Sequence, residues 1–273
     1  MSSDFLKIFI LYKRIIIMFF FITLFISVIL FSVYYIYNNQ FDITSTSITC
    51  NSSISSELIG QINRITDGDE KIAYLTFDDG PTTSVTPKIL DILKSEDIKA
   101  SFFVIGKSVD AHPEIVKRAY NEGHYIANHG YDHNNAVLYK SSESFINEIE
   151  KTDLAIGKAI GIDDYCSHIF RFPNGFMSPL YKSKKKKAVS LLSNLNYAYI
   201  DWNCLNNDSI KKYSPSQLLN NLKKSCKNKN TLIILMHDTK DVSDSSMALK
   251  DSIAYIKSQG YEFKNFYEFI PKQ

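Results

Sequence analysis

At 273 residues, 45% hydrophobic and 22% charged, the chain is long enough to bury one full-sized core, and its bulk composition carries no sign of disorder. The formal net charge is only +2, with both signs mixed along most of the chain, which removes the electrostatic case for nucleic acid as a partner.

The first element is apolar. Over residues 15–37 only Thr23, Ser27 and Ser32 interrupt the hydrophobic run, and at about 1.5 Å per residue such a helix crosses a ~30 Å hydrocarbon layer. Lys7, Lys13 and Arg14 precede it and no Lys or Arg follows until Arg64. The positive-inside rule therefore keeps residues 1–14 in the cytoplasm and puts everything beyond residue 37 outside. A cleaved signal peptide is the competing reading, but this run exceeds an h-region of about 7–15 residues and no A-x-A-like site follows it. The expected location is the cell membrane, crossed once, with an extracytoplasmic C-terminal domain. Cys50, Cys166, Cys204 and Cys226 would then all lie where disulfides persist. Their spacing includes no C-x-x-C and leaves the pairing open.

Residues 38–68, rich in Ser, Thr and Asn, read as a linker, and residues 69–273 as the folded domain. Within it, short runs rich in aromatic and β-branched residues predict seven strands, at 71–77, 100–105, 125–127, 168–172, 197–200, 231–236 and 261–263. Helical spacing alternates with them at 87–95, 113–122, 142–159, 184–194, 215–224 and 248–259. Repeated strand–helix–strand units imply an α/β fold with a parallel sheet and right-handed crossovers, and seven strands imply a distorted (β/α)7 barrel, closed or nearly so. A doubly wound open sheet is the alternative.

Polar groups gather at the expected strand ends. Asp78 and Asp79 follow the first strand, His129 and His133 the third, Arg171 ends the fourth, Asp201 follows the fifth and His237 the sixth. In β/α barrels these ends converge on one face, so groups scattered along the chain would form one site. The i, i+4 pair His129 and His133, on a helix or tight helical turn, would point two imidazoles at one metal ion. An Asp-Asp-Gly is more often a helix cap and a solvated turn acid. Here one carboxylate and two histidines would complete a catalytic metal site, and the second carboxylate would stay free as a base.

TFDDGP (76–81), HGYDH (129–133), RFPNG (171–175), DWN (201–203) with Asp208 beyond it, and ILMHD (234–238) occur in the order seen in NodB-like polysaccharide deacetylases, carbohydrate esterase family four. The resemblance runs from Lys71 to Phe269 and is strongest to the membrane-anchored, Gram-positive cell-wall branch. It implies that Asp79, His129 and His133 hold a divalent metal, usually zinc. Asp78 would be the general base acting on a water held by that metal, and His237 the general acid. Arg171 would orient Asp78 and keep it ionised. Asp208 would orient His237, with Asp201 as its rival. A backbone N–H near Asn174 would help hold the oxyanion, and Trp202 could offer a stacking surface, although a half-buried barrel aromatic explains it equally well. The implied substrate is N-acetylglucosamine of peptidoglycan; N-acetylmuramic acid, poly-N-acetylglucosamine, chitin and xylan are the alternatives, and a silent wall-binding module is a different class.

Asn174 stands where the family usually has an aromatic or Gly, and Ser209 where a Trp is common, so the sugar-binding wall departs from the pattern. The lysine run 182–187 reads as the solvated start of a helix. His112, His124 and His168 read as structural.

Overall fold

The structure, a computed structural model, describes residues 3–39, 54–239 and 244–273. It divides into two units, residues 1–42 and 43–273. In the first, helix α1 (Ser3–Asn39) contains the stretch Ile15–Tyr34, of mean hydropathy 2.9, long and apolar enough to cross a membrane. Cys50 and much of the expected linker lie outside the described residues.

The second unit is built on β1 (Ile72–Asp78), which is buried along nearly its whole length. The parallel sheet runs β5 (Ala198–Tyr199), β4 (Ile169–Phe170), β3 (Tyr125–Asn128), β2 (Ser101–Val104), β1, β7 (Leu232–His237) and β6 (Cys204–Leu205), and β8 (Glu262–Lys264) pairs with the start of β1. Among the described residues no pairing joins β5 to β6, so the curled parallel sheet stays open as a half-barrel. All seven predicted strands form. The eighth, β6, has only two residues between polar neighbours and gives no periodic signal of its own.

Side-chain alternation divides the core in two. Ala73, Leu75, Phe77, Phe102, Val104, Ile126, Ile234 and Met236 face the helical layer; after α2 (Ser56–Asn63) the helices in chain order are α3 (Thr86–Ser95), α4 (Gly106–Ala111), α5 (Pro113–Asn121), α6 (Asn135–Leu138), α7 (Ser142–Ile160), α8 (Lys182–Asn194), α9 (Pro215–Ser225) and α10 (Ser246–Ser258). Tyr74, Phe103, Tyr125, Ile169, Ala198 and Ile233 belong to a second cluster with Ile54, Ile62, Phe266 and Ile270. Phe266 stacks on Tyr74 with centroids 5.5 Å apart.

That second cluster corrects the expected linker. Residues of the 38–68 segment form helix α2 (Ser56–Asn63), whose first turn is capped by Ser55 accepting from the Leu58 N–H, and Ile62 is wholly buried. From residue 54 onward, the segment therefore takes part in the core. Ile62→Ala is expected to destabilise the domain by about 2–5 kcal/mol, as large-to-small changes in packed cores do; a denaturation midpoint unchanged from wild type would show that α2 adds nothing.

Candidate active site

Parallel pairing carries the polar residues to the C-terminal edge of the sheet. Asp78 and His237, 159 positions apart in the numbering, are register partners across β1 and β7. Asn128 is paired with Phe170 across β3 and β4, which brings His129 beside Arg171, whose N–H donates to the Asn128 carbonyl.

Asp79 is the first residue after β1 and takes a left-handed backbone at φ +76°. Its Oδ1 lies 3.3 Å from His129 Nε2 and 3.2 Å from His133 Nε2. This Oδ1 is buried without a hydrogen-bond partner. The site thus contains a buried acceptor facing two imidazole nitrogens, a donor set suited to a divalent cation. Two ligand atoms bound tetrahedrally to one zinc at ~2.0–2.1 Å lie about 3.3 Å apart, which matches both separations. His129 Nδ1 lies 2.8 Å from the Arg171 carbonyl oxygen. Donating its proton there leaves the Nε2 lone pair for a metal. Burial pushes the Asp79 carboxyl up, but the facing His129, His133 and His237 outweigh it and hold the group well below the usual carboxylate range.

The two histidines do not sit on a helix, as their spacing suggested. They belong to a loop in which Gly130 has φ +84° and His133 φ +51°. Its shape is set by neighbours that carry no signature in residue spacing. Glu148, buried on α7, accepts both the Tyr131 and Asp132 N–H groups at 3.0 Å, and the Asn128 side chain accepts from Gly130 N–H at 2.9 Å. Tyr131 and Asp132 themselves turn outward, to Asp110 and Lys107. Glu148→Ala is expected to weaken zinc binding about 10–100-fold with the helical circular dichroism unchanged, the usual cost of losing a group that supports a ligand; competition with a chromophoric chelator measures it.

Asp78 is 2% exposed and accepts from Arg171 Nη1 at 2.7 Å. Arg171 is completely buried. Its guanidinium also donates to Thr76 Oγ1 at 2.8 Å and to the Ile200 carbonyl at 3.0 Å, and lies 3.9 Å from the centre of the Phe103 ring. A buried cation so arranged pairs with one carboxylate and fixes its direction. The free Asp78 Oδ2 faces His129 Nε2 at 3.8 Å.

On the opposite side, His237 Nδ1 lies 2.7 Å from Asp208 Oδ1, while Asp208 Oδ2 accepts from the His237 backbone N–H at 2.7 Å and from the Ser245 hydroxyl. Its Nε2 points back toward Asp79 Oδ2 at 3.9 Å. Burial lowers the affinity of His237 for its proton, but the Asp208 carboxylate, followed by Asp78 and Asp79, overrides this and raises its pKa to about 9. Asp201, the rival partner, accepts instead from the Phe176 and Met177 N–H groups at 2.9 and 3.1 Å.

Asn174 is exposed, with φ +63°, and its Oδ1 accepts from Asn135 at 2.7 Å. Trp202 is half-buried and packs against Gly175, where an added Cβ would come within 2.8 Å of the indole. The lysine run is not simply a solvated face: Lys184 and Lys185 reach inward to the Tyr139 and Gly175 carbonyls, at 2.8 and 2.6 Å, and Lys185 is wholly buried. No hydropathy signal marks a lysine that anchors a loop. His124 and His168 are buried, as expected for structural histidines.

Residues 66–199 match the polysaccharide deacetylase family. The chain is 32% identical over 196 residues to a peptidoglycan N-acetylmuramic acid deacetylase of Bacillus subtilis, covering 72% of this chain and 70% of that one. The chain belongs to the polysaccharide deacetylase family. This family member is also 34% identical over 215 residues to a peptidoglycan N-acetylglucosamine deacetylase of Bacillus cereus, covering 76% of this chain and 73% of that one. Among solved structures, the catalytic domain of a peptidoglycan N-acetylglucosamine deacetylase from Eubacterium rectale superposes with a TM-score of 0.66 at 29% identity, over 74% of this chain and 91% of that one. The chain is accordingly a polysaccharide deacetylase of the NodB type, a hydrolase acting on amide bonds.

Proposed function

We propose that this deacetylase removes the acetyl group from N-acetylglucosamine of peptidoglycan outside the cell, anchored by α1, with a zinc ion held by Asp79, His129 and His133. The observation that carries the reading is the presence, around one metal-binding triad, of a buried carboxylate paired with Arg171 on one side and an imidazole paired with Asp208 on the other. When bound, the cation would polarise the acetamide carbonyl and lower the pKa of a water. Asp78, oriented by Arg171, takes the proton from the attacking water. His237, held protonated by Asp208, delivers its proton from Nε2 to the departing amine nitrogen. A backbone N–H near Asn174 would donate to the developing oxyanion, and Trp202 would border the sugar.

N-acetylmuramic acid is the second reading, favoured by the likeness to the Bacillus subtilis protein at nearly the same identity. A catalytically silent wall-binding module is disfavoured by the retention of both Asp78 and His237. Incubating the full chain with purified peptidoglycan is expected to release acetate with added zinc and to stop on chelation. Analysis of which sugar gains a free amine decides between the two substrates. No acetate from zinc-loaded, folded protein would sink the peptidoglycan reading.

A further inference from the structure

Two cysteines far from the metal site lie side by side. Cys204 is in β6, paired with Ile234 of β7, and Cys226 caps the C-terminus of α9. Both thiols are free and buried, 0% and 5% exposed, whereas Cys166 is already in a disulfide. Cys204 Sγ lies 3.7 Å from the carbonyl oxygen of Ser225, the residue next to Cys226, and the Leu205 N–H donates to Ser225 Oγ at 3.0 Å. These contacts bring the two thiols within interaction range of each other. Cys226 borders a surface cavity of about 290 Å³ that Lys227, Lys229 and Tyr261 also line. Both cysteines belong to the apolar core, and Cys204 does not line the cavity.

We propose that Cys204 and Cys226 form a redox-active dithiol that closes to an intramolecular disulfide on meeting a small-molecule or protein disulfide, with Cys226 as the attacking thiol. The Cys226 thiolate displaces one thiolate from the oxidant and forms a mixed disulfide; Cys204, losing its proton, attacks the Cys226 sulfur and expels the second. Two cysteine thiols are oxidised and one external disulfide is reduced to two thiols, so electrons and protons balance. Polarity agrees with the order of attack. The neighbouring Cys204 thiol and the Lys229 charge shift Cys226 toward the thiolate against the cost of burial, while Cys226 and burial push Cys204 up. The ring so closed contains the segment that presents Asp208, and it ties β6 to α9 at both ends of that segment. This inference does not depend on the reaction catalysed.

The test uses the full chain in detergent, incubated with oxidised glutathione, then alkylated under denaturing conditions, digested and mapped by mass spectrometry. The expected product is a cross-linked pair of peptides carrying Cys204 and Cys226, lighter by two hydrogens than the free pair, with Tm raised by about 5–10 °C. A link already present in the purified chain supports the proposal equally. Alkylation of both cysteines after oxidant, or glutathione on each without a cross-link, overturns it. In Cys204→Ser the adduct is expected to stay on Cys226, and in Cys226→Ser the buried Cys204 is expected to remain unmodified. Equal modification of Cys204 in that variant would overturn the assignment of the attacking thiol.

Discussion

Asp78→Asn is expected to lower kcat for acetate release by about 10²–10⁴-fold, the usual share of a positioned general base, while one zinc still binds per chain. The prediction turns on the division of labour between neighbouring carboxylates. Asp79 has its Oδ1 buried between two imidazole nitrogens, with no hydrogen bond of its own. Asp78 instead has one oxygen engaged by Arg171 and the other left for a proton. Asn retains an acceptor for the guanidinium and removes only the charge and the basicity. Arg171 nevertheless remains a buried cation without its counter-charge, a change that can cost several kcal/mol, so the denaturation midpoint is measured alongside. Loss of turnover in a chain that is folded and zinc-loaded identifies Asp78 as the base. Turnover close to wild type would remove it from that role, and loss of zinc would mean that the ligand set includes Asp78.

Much of this site was legible because its residues fall where apolar runs stop. The end of β1 carries the adjacent carboxylates, and β3, β4 and β7 end within a residue of His129, Arg171 and His237. In a parallel sheet those positions have to share one edge. What could not be read is how loops return to that edge. Asp208 and Asp201 are both short polar residues after a strand, and only the folded chain shows that one meets His237 while the other accepts two backbone N–H groups. Glu148 lies in the middle of an amphipathic helix, and its use as a double acceptor under the histidine loop has no signature in spacing. Helix α2 is a different kind of miss. Ile54, Leu58, Ile59 and Ile62 follow helical spacing and Ser55 stands at the N-cap, but the Ser- and Asn-rich composition around them outweighed a periodicity of only two turns. Lys185 is buried although charged because its amine meets a carbonyl in the interior, a partner that composition does not reveal.

Asp208→Asn is expected to move the alkaline limb of the pH profile of kcat/KM lower by about 1–2 pH units, the size of effect that one close opposite charge has on a titrating group. The sign follows from the role of His237. A general acid works protonated, so activity falls as pH rises through its pKa. In the metal-free chain that pKa is raised to about 9, with burial opposing and the Asp208 carboxylate the largest favourable influence. A cation beside Asp79 repels the imidazolium and brings the value down from there, in wild type and variant alike. The difference between the two therefore reports Asp208. With Asn the hydrogen bond to Nδ1 can persist but the charge is gone, and burial then has less to oppose it. The acidic limb, which belongs to the base and to metal retention, is expected to move much less. If Asp208 merely braced the loop, the variant would lose rate at every pH with its alkaline limb in place. If the limb moves and the plateau rate at lower pH stays within about tenfold of wild type, the carboxylate sets the proton affinity of the acid, since the loss of a proton donor itself would cost about 10²-fold or more.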